Sequence, residues 1–152
     1  MRIAQIALEG SRDWPGFRAE AINDGLSVFT GPANTGKTTL AEFLGHVLYG
    51  KAAEVANGTW RRRGMPEGEI VVVDQTGRYR LRRYADVPPP GRLTISALNG
   101  EIVVADDLRR LLGNVSPEIL PDLYAIDFAR IARHAWLPSA DFAKAFYSTI
   151  GT

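Results

Sequence analysis

Residues 26–50 read LSVFTGPANTGKTTLAEFLGHVLYG, and the fold turns on how this stretch is understood. Gly31 to Thr38 fits G-x-x-x-x-G-K-[ST], the phosphate-binding loop. Upstream, Leu26 to Thr30 is a short apolar run containing β-branched and aromatic residues, which predicts a buried strand. Downstream, Leu40, Phe43, Leu44, Val47 and Leu48 recur at helical spacing and predict a helix. Strand, glycine-bearing loop and helix, in that order, form the setting in which the motif works.

Each residue type in the loop has a chemical reason. Gly31 and Gly36 let the backbone curl until consecutive N–H groups, from Asn34 and Thr35 through Thr39, point at phosphate oxygens. A helix starting near Lys37 adds its positive end to the same place. Lys37 is expected to reach the β- and γ-phosphates of ATP, with the Thr38 hydroxyl on Mg²⁺ and the Thr39 hydroxyl near the α-phosphate. The plainer alternative is a glycine turn capping an ordinary amphipathic helix, with Lys37 in solvent. The strand–loop–helix context argues against it.

Working outward toward the N-terminus, Arg2 to Glu9 alternates as a half-buried strand does. A turn with Pro15 and Gly16 leads to a second strand, Phe17 to Ile22. Asn23-Asp24-Gly25 then reads as a tight hairpin connection into the strand that enters the loop. Two antiparallel strands before the nucleotide strand differ from the plain β-α-β start of a dinucleotide fold.

In the other direction, residues 51–67 are rich in Gly, Ala, Arg and Pro and read as a long loop. Glu69 to Asp74 and Arg78 to Tyr84 flank Gln75-Thr76-Gly77, a hairpin. Leu93 to Leu98 resumes as a strand, and Asn99-Gly100 turns it back into Glu101 to Val104. The remainder reads as helical. Asp106 caps a short helix ending at Gly113, and Ser116-Pro117-Glu118 starts a second. Further helices run from Phe128 to Trp136 and from Ser139 toward Ile150. Val71-Val72-Val73-Asp74 imitates the apolar strand that ends in a Mg²⁺-binding Asp. However, Asp74 stands one residue before the hairpin turn and Gln75 follows it, so it is read as a turn residue.

The 152 residues suit one domain or one lobe, with 45% hydrophobic and 23% charged residues as in a soluble globular protein. There is no cysteine, hence no disulfide framework, thiolate nucleophile or cysteine metal site. No apolar run is long enough to span a bilayer and the first residues lack a signal-peptide core, so a cytoplasmic protein without membrane contact is expected. His46 and His134 lie far apart with no ligand spacing, and Trp14, Trp60 and Trp136 read as packing residues.

MRIAQIALEG, the Trp/Pro/Phe turn and INDGLSVFTGPANTGKTTLAEFLGHVLYG together resemble the amino-terminal half of an SMC-like, ABC-type ATPase head. The likeness is greatest to the YhaN-type AAA family, which is related to the double-strand-break-repair ATPases, RecN and RecF. LLGNVSPEILPDLYAIDFARIARHAWLPSADFAKAFYSTIGT is similar to that family's helical stretch in order and spacing. The resemblance implies an α/β P-loop NTPase: an ABC/SMC-like head amino-terminal lobe with an antiparallel β-meander and a helical subdomain. Residues 1–50 would hold the strands, loop and first helix, 51–104 the loop and meander, and 105–152 a helical segment leading toward a coiled coil.

In that family a polar side chain after the helical insertion serves Mg²⁺ or the attacking water, commonly Gln. Asp127 occupies the place here and is the catalytic candidate beside Lys37, although the residues themselves favour an N-cap for the Phe128 helix. Arg12 could reach a nucleotide phosphate in such heads; a surface arginine is the plainer reading. Relatives usually carry Asn at the third motif position, where this chain has Ala33 with Asn34 next.

The sequence has neither an apolar strand ending in Asp-Glu after the helical region nor a Ser-Gly-Gly signature segment. The resemblance places both in a carboxy-terminal lobe. The expectation is therefore a lobe that binds ATP and Mg²⁺ but hydrolyses little without its complement, the complete head forming a head-to-head homodimer. DNA is the implied partner, in repair or chromosome maintenance. Arg61, Arg62, Arg63, Arg78, Arg80 and Arg82, with Arg83 and Arg92, concentrate positive charge in the middle third. The competing reading makes the ribbon arginines the wet, protective face of an edge strand. A stand-alone nucleotide-binding regulatory module or a small kinase is the alternative function class, and the β-rich stretch 69–104 argues against the kinase.

Overall fold

The structure, a computed structural model, describes residues 1–9, 16–50, 67–84, 92–99, 102–103 and 106–113. Its strands are β1 (Arg2–Leu8), β2 (Phe17–Ala19), β3 (Gly68–Val73), β4 (Arg78–Tyr84), β5 (Arg92–Ala97) and β6 (Ile102–Val103). They form one sheet in the order β2-β1-β3-β4-β5-β6, every neighbouring pair antiparallel and β6 a two-residue edge. Helix α1 (Lys37–Tyr49) and the short α2 (Asp106–Leu111) complete the described elements. None of the described helices is long and apolar enough to cross a membrane.

The sheet follows from period-two patterning. In β1, Ala4, Ile6 and Leu8 are buried, while Ile3, Gln5 and Ala7 between them are half-buried. In β4, Tyr79, Leu81 and Arg83 face inward, and Arg78, Arg80 and Arg82 face out. The β3–β4 turn is closed by Asp74. One of its carboxylate oxygens accepts from the Thr76 N–H (2.8 Å), the Thr76 hydroxyl (2.6 Å) and the Gly77 N–H (3.0 Å). Its slight burial pushes the carboxyl upward, but the Thr76 and Gly77 hydrogen bonds outweigh that and hold it below its ordinary range. The turn reading of Asp74 thus agrees with its geometry.

Leu40, Phe43, Val47 and Leu48 of α1 pack with Ile6, Leu8, Ile70, Val72, Leu81 and Ile95 into the core, which Leu111 and Leu112 extend. Each fully buried side chain of this size contributes about 1.5–3 kcal/mol. Phe43 comes down on bare backbone at Gly68. A Cβ there would lie 2.3 Å from the Ala7 carbonyl oxygen and 3.0 Å from Phe43 Cζ, so only glycine lets β3 approach both. Gly50 closes the helix in the left-handed region (φ 67°), returning its N–H to the His46 carbonyl.

Four sequence expectations need correction. Leu26 to Thr30 has no regular secondary structure and is not a strand: no described strand pairs with it, and Leu26, Val28 and Phe29 are 92%, 70% and 41% exposed. Asn23-Asp24-Gly25 is consequently no hairpin. The bend is tied instead to the start of β1, where Arg2 Nε meets Asp24 at 2.6 Å and Nη1 donates to the Ile22 carbonyl at 3.3 Å. The strand before it is also shorter than the expected 17–22, although the Ile22 N–H still reaches the Ala4 carbonyl. Finally, β4 lies between β3 and β5, so its arginines are not on an edge strand. The described architecture is α/β with an antiparallel sheet; the parallel sheet of a P-loop NTPase is not among the described residues.

Candidate phosphate-binding site

The motif residues form a closed ring at the start of α1. Asn34 (φ 63°) and Gly36 (φ 91°) both adopt the left-handed conformation, which turns the chain back on itself. Asn tolerates that conformation better than most side chains, and Gly36 has no Cβ to oppose it. Lys37 then folds inward: its Nζ donates to the Gly31 carbonyl at 2.9 Å and the Pro32 carbonyl at 2.5 Å, and lies 3.4 Å from Thr35 Oγ1. The Thr35 hydroxyl donates to the same Pro32 carbonyl at 2.9 Å. A Cβ on Gly31 would stand 3.0 Å from Thr35 Oγ1, so this position also favours glycine.

The first turn of α1 is open. Gly36 offers no side chain to cap it, and the first intrahelical bond is Leu40 N–H to the Gly36 carbonyl. The amides of Lys37, Thr38 and Thr39 precede that bond, so the helix itself provides them no acceptor. They lie at the positive end of the helix dipole, while the Lys37 ammonium bonds to the loop before the helix. An anion with several oxygens fits this donor set: a cation on a flexible arm, exposed amides and the Thr38 hydroxyl, all on the surface.

The lead-in connects the ring to the sheet. Phe29, two residues before Gly31, meets Phe17 of β2 edge to face, centroids 5.6 Å apart. Phe17 also lines a cleft of about 520 Å³ with Leu8, Glu9, Arg18, Glu69 and Arg82.

Among the sequence-derived site residues, the structure brings Gly31, Asn34, Thr35, Gly36 and Lys37 together, with Thr38 and Thr39 following in the first helical turn. Arg12, Asp127, Arg61, Arg62 and Arg63 lie outside the described residues. Two of the three ribbon arginines are committed to carboxylates: Arg80 Nε lies 3.3 Å from Glu69, and Arg82 Nη2 lies 2.8 Å from Glu9 and 3.8 Å from Glu67. Arg82 and Arg92 also stack on the Tyr84 ring.

Arg83 does not belong to the basic strip at all. It is 7% exposed and points the opposite way, its Nε and Nη2 donating to the Val47 carbonyl at 3.3 and 3.2 Å. Beside it His46 is 3% exposed, and neither ring nitrogen has a hydrogen-bond partner among the described residues. Burial, and then the Arg83 charge, lower the His46 pKa to about 4. The alternation of Tyr79, Leu81 and Arg83 was the available signal that Arg83 faces the core.

No protein-family model and no curated protein matches the chain.

Proposed function

We propose that residues 31–39 bind the phosphate tail of Mg-ATP, and that the chain is the nucleotide-binding amino-terminal lobe of an SMC-like ATPase head. The observation that carries this reading is the glycine-capped, unblocked first turn of α1 with the Lys37 ammonium folded into the loop before it. Backbone amides there would hold phosphate oxygens. Lys37 would move from the Gly31 and Pro32 carbonyls to phosphate, and the Thr38 hydroxyl would ligate Mg²⁺. Bound ATP supplies the phosphoanhydride that such a head cleaves.

The run 26–30 supports the need for a second lobe. It has strand composition, exposed apolar side chains and no described strand beside it. A strand from a carboxy-terminal lobe laid against it would bury Leu26 and Val28 and continue a sheet directly into the loop. Hydrolysis would then rest on groups the second lobe contributes. A DNA contact through Arg78, Arg80 and Arg82 belongs to the same proposal. There, phosphate would have to displace Glu69, Glu9 and Glu67 from two of the three.

Isothermal titration of the chain with Mg-ATP tests the reading. Heat is expected with the unaltered chain, and Lys37→Ala should weaken binding by roughly a hundredfold, as losing a charge-assisted contact to phosphate does. Because Lys37 is exposed, the thermal transition should stay in place. Absence of heat, or equal heat from the variant, would refute the proposal. Little or no turnover is expected from the chain alone.

A further inference from the structure

We propose that Arg83 is a positioning residue for the candidate phosphate site: it fixes the axial position of α1 on the sheet, and so the placement of the amides at the other end of the helix. This rests on the phosphate-binding reading above. Helix α1 has 13 residues, so Val47 and the loop are separated by nearly its whole length, roughly 15–20 Å.

The contacts of Leu40, Phe43, Val47 and Leu48 with the sheet are apolar and therefore non-directional. They hold the helix down with Phe43 seated on Gly68, and a directional bond near the other end of the helix adds to that seating in fixing its axial position. The Val47 carbonyl lies in the last turn, where the helix leaves its own acceptors unpaired. Two donors from one guanidinium converge on that oxygen. The guanidinium is carried by β4, whose backbone is fixed by pairing to both β3 and β5. A buried cation at the negative end of the helix also interacts favourably with the helix dipole. His46 stays neutral at ordinary pH, so it adds no opposing charge.

The experiment compares Arg83→Met, Arg83→Lys and an apolar control from the same face of the sheet and the same core cluster, Ile95→Ala. Mg-ATP affinity is read at a temperature where each variant is folded. Amide exchange across Leu40–Val47 is read without nucleotide. Arg83→Met is expected to weaken binding about tenfold, the size of one lost hydrogen-bonded charge. Arg83→Lys should recover part of the affinity, and Ile95→Ala should bind as the unaltered chain does even where its melting temperature falls further. Affinity unchanged in Arg83→Met, or lowered equally by Ile95→Ala, overturns the proposal.

If the unaltered chain binds no nucleotide, the phosphate reading fails and the exchange measurement decides the helix anchor alone. Faster exchange along α1 in Arg83→Met than in Ile95→Ala supports the anchor, and equal exchange overturns it. Should Arg83→Met fail to fold, Arg83→Gln takes its place in both measurements.

Discussion

Two apolar stretches of similar composition end up in opposite environments. Ile70, Val71 and Val72 of β3 are sealed between β1 and β4, beneath α1 on one face. Leu26 and Val28 lead toward the glycine loop with their side chains largely exposed among the described residues, and Phe29 is exposed by 41%. The difference lies in the neighbours available to each. β3 finds a partner strand on both sides, whereas among the described residues no strand pairs with the lead-in, which meets the sheet at the Phe17–Phe29 ring contact, with the Arg2–Asp24 tie just before it. Apolar residues state what a segment is able to bury, and the rest of the chain determines whether burial happens.

The most direct way to break this contrast is to make the same substitution in both regions. Leu81→Ala, in the fully buried row of β4, should cost roughly 2–5 kcal/mol in urea denaturation. Leu26→Ala should cost less than about 0.5 kcal/mol. Equal costs would mean that the lead-in is covered after all.

Acid probes the buried side differently. His46 is neutral in the folded chain down to about pH 4, while in the unfolded chain it takes up a proton near its ordinary 6.5. Between those values the unfolded state holds the extra proton, so stability must fall as pH drops from 6.5 toward 4. The loss from this residue is on the order of 3 kcal/mol. Asp74, held low by its turn, adds a loss only at more acidic pH, as its own carboxylate takes up a proton. His46→Leu should flatten the slope between pH 6.5 and 4 and raise stability at neutral pH, since it removes two buried nitrogens that have no hydrogen-bond partner among the described residues. An unchanged slope would show that His46 is hydrated.

A smaller effect sharpens the same contrast at two glycines. Gly68→Ala drives a methyl into the Ala7 carbonyl and should cost about 1–3 kcal/mol. Gly45→Ala, in the middle of α1 with open space around it, should stabilise by about 1 kcal/mol. Opposite signs in thermal denaturation are the expected result.

Much of the sheet was legible before any coordinates. Gln75-Thr76-Gly77 marked the β3–β4 turn, and alternation set Arg78, Arg80 and Arg82 of β4 apart from Tyr79 and Leu81, whereas in β1 it marked a strand without singling out the buried Ala4, Ile6 and Leu8. Helix α1 was legible from its spacing, and the sharp turn before it from Gly36. The lead-in was misread because strand propensity carries no information about a neighbouring strand. Arg83 was misread because charge was counted along the chain, whereas successive residues of a strand face opposite sides. Adjacent Arg82 and Arg83 could never share one surface. The cost of burying the second is offset by a helix-end carbonyl that no pattern in the sequence announces.

The Lys37 side chain has one more consequence. Its ammonium already cross-links the two ends of the loop, so an arriving phosphate would enter by exchange, taking over a cation that the Gly31 and Pro32 carbonyls release. Departure would run the same trade backward, with those carbonyls recapturing the ammonium as the anion leaves. The Gly31 and Pro32 carbonyls would thus compete with the anion for one cation, and the strength of that competition would set part of the site's affinity.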